Sequence, residues 1–236
     1  MNDPFFRDSA ATLRGTNIDM GLRTHMQKVF GYMCGGLALS GGLAMFIAHN
    51  IAIVQMLATP GINFVFMLAP LGILIYLNAR MQSLTVGALR AWFVVFCGMM
   101  GLSLGLVFFQ YTDASIARAF FVNSAMFGTM ALYGYTTKKD LAGIGGFLIM
   151  GVIGIVIASL VNLFLASPML AWATSVIGVV VFTGLTAWDV QRIKQTYSEA
   201  RGEEENHKMA VFNALSLYLN FINALMFLLR FMGDRR

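Results

Sequence analysis

Long apolar runs separated by short polar connectors make up most of the chain, at residues 29–49, 62–79, 87–109, 116–136, 143–165, 169–189 and 209–232. Each approaches the roughly 20 residues that a helix needs to cross about 30 Å of hydrocarbon. The runs are unbroken, whereas barrel strands would alternate polar and apolar residues with a period of two, so helices are predicted. The expected fold is an all-α polytopic integral membrane protein with seven transmembrane helices. Residues 1–28 form a polar head and 29–236 one membrane domain. Connectors open on recognisable punctuation, Thr59-Pro60-Gly61, Ala79-Arg80-Met81-Gln82 and Ser167-Pro168, and their shortness makes sequential helices antiparallel neighbours. Gly31 with Gly35, and Gly101 with Gly105, have the small-xxx-small spacing that lets helices approach closely.

Composition agrees with this pattern and excludes a soluble domain. The chain is 58% hydrophobic and 11% charged, against roughly 25% charged in ordinary globular proteins, and its mean hydropathy is +0.73. The net charge of +5 does not point to nucleic acid, because the basic residues are dispersed among connectors. They fix sidedness instead, since cytoplasmic loops accumulate Lys and Arg. Arg7, Arg14, Arg23 and Lys28 of the head, Arg80 and Arg90, Lys138 and Lys139, and Arg192, Lys194, Arg201 and Lys208 all belong to one face. That face is cytoplasmic, and with it the N-terminus. Arg230, Arg235 and Arg236 of the tail fall on the other face if the last segment crosses fully, which is favoured over a re-entrant return. The first apolar run follows 28 polar residues and is too long for a signal-peptide core, so it reads as a retained span. Cys34 and Cys97 lie inside apolar runs and read as buried small apolar side chains.

Ten of the eleven acidic residues lie in the head, connectors or tail, and only Asp189 abuts an apolar run directly. An ionisable group within a span is costly unless it faces the bundle interior or water, which makes Asp189 a functional candidate; the alternative is that it merely starts a loop beside interfacial Trp188. In the last run, Asn213, Ser216, Asn220 and Asn223 recur at steps of three and four and fall on one helical stripe. Such a stripe cannot face lipid, so it faces other helices or a hydrated path. It serves either as interhelical hydrogen-bonding glue or as the partner surface of Asp189 through Asn220. Gly101-Leu102-Ser103-Leu104-Gly105 has the form of a hydrolase elbow but sits in mid-span without the strand-turn-helix context. Nucleotide and metalloprotease motifs do not occur. His25, His49 and His207 are isolated and read as solvated. No enzyme and no cofactor is indicated.

Three segments resemble signatures of the Bax inhibitor-1 family, bacterial inner-membrane branch. Met126-Phe127-Gly128-Thr129-Met130-Ala131-Leu132-Tyr133-Gly134-Tyr135-Thr136-Thr137-Lys138-Lys139-Asp140-Leu141 is similar to its fourth helix. Gly184-Leu185-Thr186-Ala187-Trp188-Asp189-Val190-Gln191-Arg192-Ile193-Lys194 is similar to its sixth, and Ala214-Leu215-Ser216-Leu217-Tyr218-Leu219-Asn220-Phe221-Ile222-Asn223 to its seventh. The resemblance implies a seven-helix bundle with the seventh central, and a pH-sensitive calcium leak. In that family picture two aspartates share a proton and close the pore, while an arginine of the second helix competes for one of them. The first aspartate falls on Asp189, the second on Asn220, and the arginine on Arg80. Asn220 is a departure. Two close carboxylates cannot both ionise cheaply, whereas the Asn220 amide donates to an ionised Asp189. Any leak is therefore expected to respond to pH in a more acidic range than in a di-aspartyl relative, or not at all. The Asp189 carboxylate and the Asn220 carbonyl oxygen are both hard ligands, compatible with a transient calcium site at Asp189.

A second function from a different class is an interaction protein. Bacterial relatives are associated with a membrane-bound ATP-dependent protease, and residues 1–28 would be the handle for it. The partners expected from sequence are thus the lipid bilayer, calcium or another cation, and such a protease.

Overall fold

The computed structural model describes residues 4–198, 200 and 202–236, with side chains described from Met20 onward. The described residues form eight helices: α1 (Pro4–Ala48), α2 (Ile51–Ala58), α3 (Ile62–Arg80), α4 (Val86–Phe108), α5 (Asp113–Thr136), α6 (Ala142–Leu165), α7 (Pro168–Thr196) and α8 (Glu203–Met232). The backbone of α1 runs without a break across Lys28, where the polar head meets the first apolar run. Arg7, Arg14 and most of the expected protease handle lie outside the residues whose side chains are described.

Six helices are long and apolar enough to cross a membrane: Met20–Ala48 of α1, and α3, α4, α6, α7 and α8. The remaining expected span, the run 116–136, lies on α5, which has 24 residues, about 36 Å at 1.5 Å per residue, but contains no stretch as apolar as those of the six. Its polar residues are the reason. Asn123 is 1% exposed and donates to the Phe221 carbonyl at 3.0 Å, while the outer face shows Phe120, Phe121 and Leu132. Several boundaries differ from the sequence reading; α1 and α8 begin earlier, at Pro4 and Glu203. The first connector contains the short helix α2, whose Val54 and Leu57 are buried with Ile47. α7 continues seven residues past Asp189, because charged residues such as Arg192 and Lys194 can extend a helix beyond the hydrocarbon as readily as they can end it.

α8 is the central helix. Two thirds of its most apolar window is buried, 67%, against 11% for α3 and for α6, and α1, α4, α5 and α7 pack around it. Tyr218, wholly buried, donates to Ser40 Oγ at 2.9 Å, and Ser40 in turn donates to the Gly36 carbonyl at 2.8 Å. Such bonds matter in a bilayer, where no water competes for a stranded polar group. α8 crosses from one end of the bundle to the other. At its start His207 meets Lys28 of α1; at its end Thr112 N–H donates to Asp234 O at 3.0 Å, beside the start of α5. A re-entrant last segment is thereby excluded.

Close approach rests on specific small residues. A Cβ on Gly101 or Gly105 would stand within 3 Å of Leu43 or Ile47 of α1, as the sequence spacing predicts. Gly31 and Gly35 behave otherwise: nothing lies within 4 Å of either, and Gly36 faces Phe93 and Cys97 in their place. A one-residue change of face accounts for this, since residues 35 and 36 point about 100° apart on a helix. Cys97 is buried but Cys34 is exposed on the flank of α1. The histidines are also partnered. His25 is buried against the Tyr197 ring, and His49 contacts Asp113 at 3.3 Å.

Gly134 of α5 is the tightest of these contacts, its ideal Cβ falling 2.2 Å from the Ala187 carbonyl oxygen. Gly134→Ala must push α5 off α7, at a cost of about 1–3 kcal/mol. Gly128, one and a half turns away with nothing within 4 Å, should accept Ala with no loss. Thermal unfolding in detergent separates the two, and equal melting temperatures would remove the claim. At the other end of the bundle, donation to the Met45 carbonyl and then the Asp113 carboxylate raise the pKa of His49 above its usual value. The charged contact is fully present below pH about 6.5 and is lost as pH rises through the raised value. Hydrogen exchange of residues 233–236, corrected for intrinsic rate, should carry that pH dependence, and His49→Gln should erase it.

Candidate functional site

The local sequence around Asp189 builds the site from two neighbouring helices. On α7, Thr186, Ala187, Asp189 and Val190 are all buried, which aims the carboxylate into the bundle. Its depth is modest: Lys194 lies five residues on, about 7.5 Å along the axis. On α8, Ser216 and Asn220 are one turn apart on the same stripe. Ser216 Oγ donates to Asp189 Oδ2 at 2.6 Å and Asn220 Nδ2 donates to the same oxygen at 2.8 Å. Asp189 is 3% exposed.

The second oxygen, Oδ1, is 2.9 Å from Nη2 of Arg192. No N–H is aimed at this oxygen, which has no hydrogen-bond partner, so the contact is coulombic rather than directional. Arg192 is held over the Trp188 ring, 4.8 Å from its centroid. Trp188 in turn lies against α6, where a Cβ on Gly145 would meet the indole at 2.3 Å. Two donors and one cation thus surround a single carboxylate, the complement of an anion. As packed, this is not a cation cage. Among the described residues no group of three or more His, Cys, Asp or Glu could hold a metal ion, and Asn220 turns its amide nitrogen, not its carbonyl oxygen, toward Asp189.

The structure joins Asp189, Ser216 and Asn220 from the sequence-derived set. Arg80 is apart from them, exposed at the end of α3, a helix that packs on α2 and α4. The cation beside Asp189 is Arg192, missed from sequence because α7 was expected to end at Asp189. Its i, i+3 spacing from Asp189 was the available signal. Asn213 is buried with its Nδ2 lacking a partner. Asn223 lies at the far end of the stripe and lines a different feature, a cavity of about 950 Å³ between α6, α7 and α8.

That cavity enters from the end of the bundle that holds the C-terminal tail. Gln110, Arg230 and Arg235 stand among its lining residues, and Asn223 and Phe182 are the deepest of them along their helices. Between it and Asp189 stands an apolar layer made by Leu148, Val181, Phe182, Leu185 and Ala224, with Phe182 stacked on Phe227 at 5.8 Å. Gln191 fixes the other side. Its Oε1 accepts from Leu141 N–H at 2.8 Å and its Nε2 donates to the Lys139 carbonyl at 2.7 Å, clamping the α5–α6 turn to α7.

Comparison with known proteins places this arrangement. A family model described as "Inhibitor of apoptosis-promoting Bax1" matches residues 22–236. The inner membrane protein YbhL of Escherichia coli is 43% identical over 92% of this chain and 94% of its own length. An uncharacterized protein of Rickettsia prowazekii is 44% identical over 95% of both chains. One from Caulobacter vibrioides is 41% identical over 100% of this chain and 98% of its own. The match includes α3 through α8 in full and, with them, every residue of the Asp189 site. The chain is a membrane protein of the Bax inhibitor family.

Proposed function

We propose that this protein is a passive cation leak, calcium being the concrete cargo, with its N-terminus in the cytoplasm and its route closed by the bond between Asp189 and α8. The observation that carries this reading is the position of the carboxylate. It is the one buried acid among the described residues, and it lies between a cavity that reaches Asn223 from one end and Arg192, 43% exposed, at the other. Asn220 and Asn223 are one turn apart, about 4.5 Å of rise, so the cavity floor and the Asp189 site belong to one polar line interrupted by the apolar layer of Phe182 and Leu185. Opening requires α7 and α8 to part there. Asp189 then exchanges its Ser216 and Asn220 donors for a passing cation, to which a carboxylate offers hard oxygen ligands.

The orientation follows from the clustering of Arg80, Arg90, Lys138, Lys139, Arg192 and Lys194 at one face. The pH response follows from Asn220. An amide donates to the ionised carboxylate without requiring a shared proton, so the transition that a di-aspartyl pair undergoes on losing its proton falls in a more acidic range in this chain, or is absent.

Two measurements test the reading, both in liposomes holding only this protein. Asp189→Ala removes the passing cation's carboxylate ligand together with the closing bond, so calcium flux should be lost rather than raised, and it leaves the Ser216 and Asn220 donors unmatched, at about 1–3 kcal/mol for each. Asp189→Asn, nearly isosteric, guards against a simple folding defect. Flux at the wild-type rate in both variants would refute the assignment. Asn220→Asp places a second carboxylate at 2.8 Å from the first and should move the pH midpoint of flux upward relative to wild type. An unchanged midpoint would overturn the role given to Asn220.

A further inference from the structure

Four arginines gather at the end of the bundle where the tail lies, and they are not equivalent. Arg118 pairs with Asp234 at 2.8 Å, and Arg236 pairs with Asp113. Arg230 and Arg235 have no carboxylate within ion-pair distance among the described residues. The tail's main chain is fixed independently of these charges: Tyr111 and Arg235 form an antiparallel bridge, and Arg236 N–H donates to the Gln110 carbonyl at 3.0 Å. The two acids of this end are thus consumed by the two arginines outside the cavity, and the two remaining guanidiniums both line it.

The rest of that cavity is mixed. Ile155, Val156, Leu160, Leu163, Phe182 and Met226 form an apolar wall, interrupted by hydroxyl and amide side chains such as Ser159 and Thr174, and the outer flank of α6 beside it, with Leu163 at 76% exposed, is lipid-facing in composition. Trp172, its ring tilted against Phe231 at 6.1 Å, stands at the rim, a placement typical of the membrane–water boundary. α7 begins at Pro168 in the same lining, so the positive end of its dipole adds to the two guanidiniums.

The geometry points to a specific binding site for a net-anionic glycerophospholipid, its phosphate held by Arg230 and Arg235 and an acyl chain laid along the apolar wall of α6 and α7. A free inorganic anion would match the guanidiniums but leave the wall uncovered. A zwitterionic lipid would cover the wall and offer a phosphate, but it would also bring its own cation up against two exposed guanidiniums that have no carboxylate partner among the described residues. Guanidinium is the group best suited to the purpose, since its planar fork grips phosphate oxygens in pairs. The site stands whether or not the chain passes ions. Where it does, the bound phosphate cancels positive charge at the mouth of the route.

The test uses the full-length chain in nanodiscs of phosphatidylcholine doped with phosphatidylglycerol, followed by gentle detergent extraction and native mass spectrometry of retained lipid. Wild type should retain phosphatidylglycerol over phosphatidylcholine. Arg230→Gln/Arg235→Gln should lose that preference by on the order of tenfold or more, since each basic residue near a surface is worth about 1 kcal/mol toward an anionic lipid. Arg80→Gln/Arg90→Gln at the opposite end should retain it. Equal retention of both lipids by wild type, or an unchanged preference in the Arg230/Arg235 variant, overturns the proposal. So does displacement of the lipid by inorganic phosphate alone, which would mark a free-anion site. Because the readout is retained lipid rather than flux, it separates failure of this site from failure of the leak.

Discussion

A carboxylate inside an apolar bundle must be matched on every side, and in this protein that requirement falls on one contact, Asp189 with Ser216 and Asn220. A bilayer offers no water to take over if the match is lost. Two helices must therefore be brought to hydrogen-bond distance at a chosen register and held there. α7 supplies the acid and α8 the donors, and the other elements can be understood by how they hold these two in place. Gly134 lets α5 lie on the Ala187 backbone, two residues before the acid, and Gly145 lets α6 accept the Trp188 ring. Trp188 supports Arg192, which places a positive charge at the remaining oxygen.

The burial of α8 follows from the same requirement. Its polar residues cannot face lipid, so it has to be enclosed on the side that carries them, and its remaining faces meet α1, α4 and α5 through Tyr218, Phe221 and their neighbours. Single hydrogen bonds tie α8 to two further neighbours: Tyr218 to Ser40 on α1, and Asn123 of α5 to Phe221. α3 and α6 carry no such obligation and are mostly exposed apolar surface. The bundle is therefore polar-specified at its centre and packed by shape at its edge.

Its two ends differ in charge balance. At the end with the α5–α6 turn, Lys194 donates to the Tyr135 carbonyl and lies near its ring, and Arg90 lies over Tyr32, so these two cations rest on a carbonyl and on aromatic faces, while Arg192 and Lys208 meet Asp189 and Glu204. At the tail end, acids and arginines pair until the acids are used up, and the surplus lines the cavity. An asymmetry of this kind gives the two faces different chemistry toward lipid headgroups and solutes.

The sequence by itself determined the helical class, most of the spans and the polar stripe of the last helix, which left Asn220 as either interhelical glue or the partner of Asp189. Each of these follows from one-dimensional regularities: run length against bilayer thickness, and the 3.6-residue period that puts Ser216 and Asn220 on one stripe. Other features were decided only by the tertiary structure. Whether Gly31, Gly35 or Gly36 touches another helix depends on the rotation of α1, which spacing does not fix. That Arg192 and not Arg80 stands beside Asp189 depends on where α7 ends and on which helices are neighbours. That Asn123 ties α5 to α8 is likewise settled by the packing. Helix rotation and neighbour choice are set by many weak contacts acting together, and no local stretch of sequence carries them.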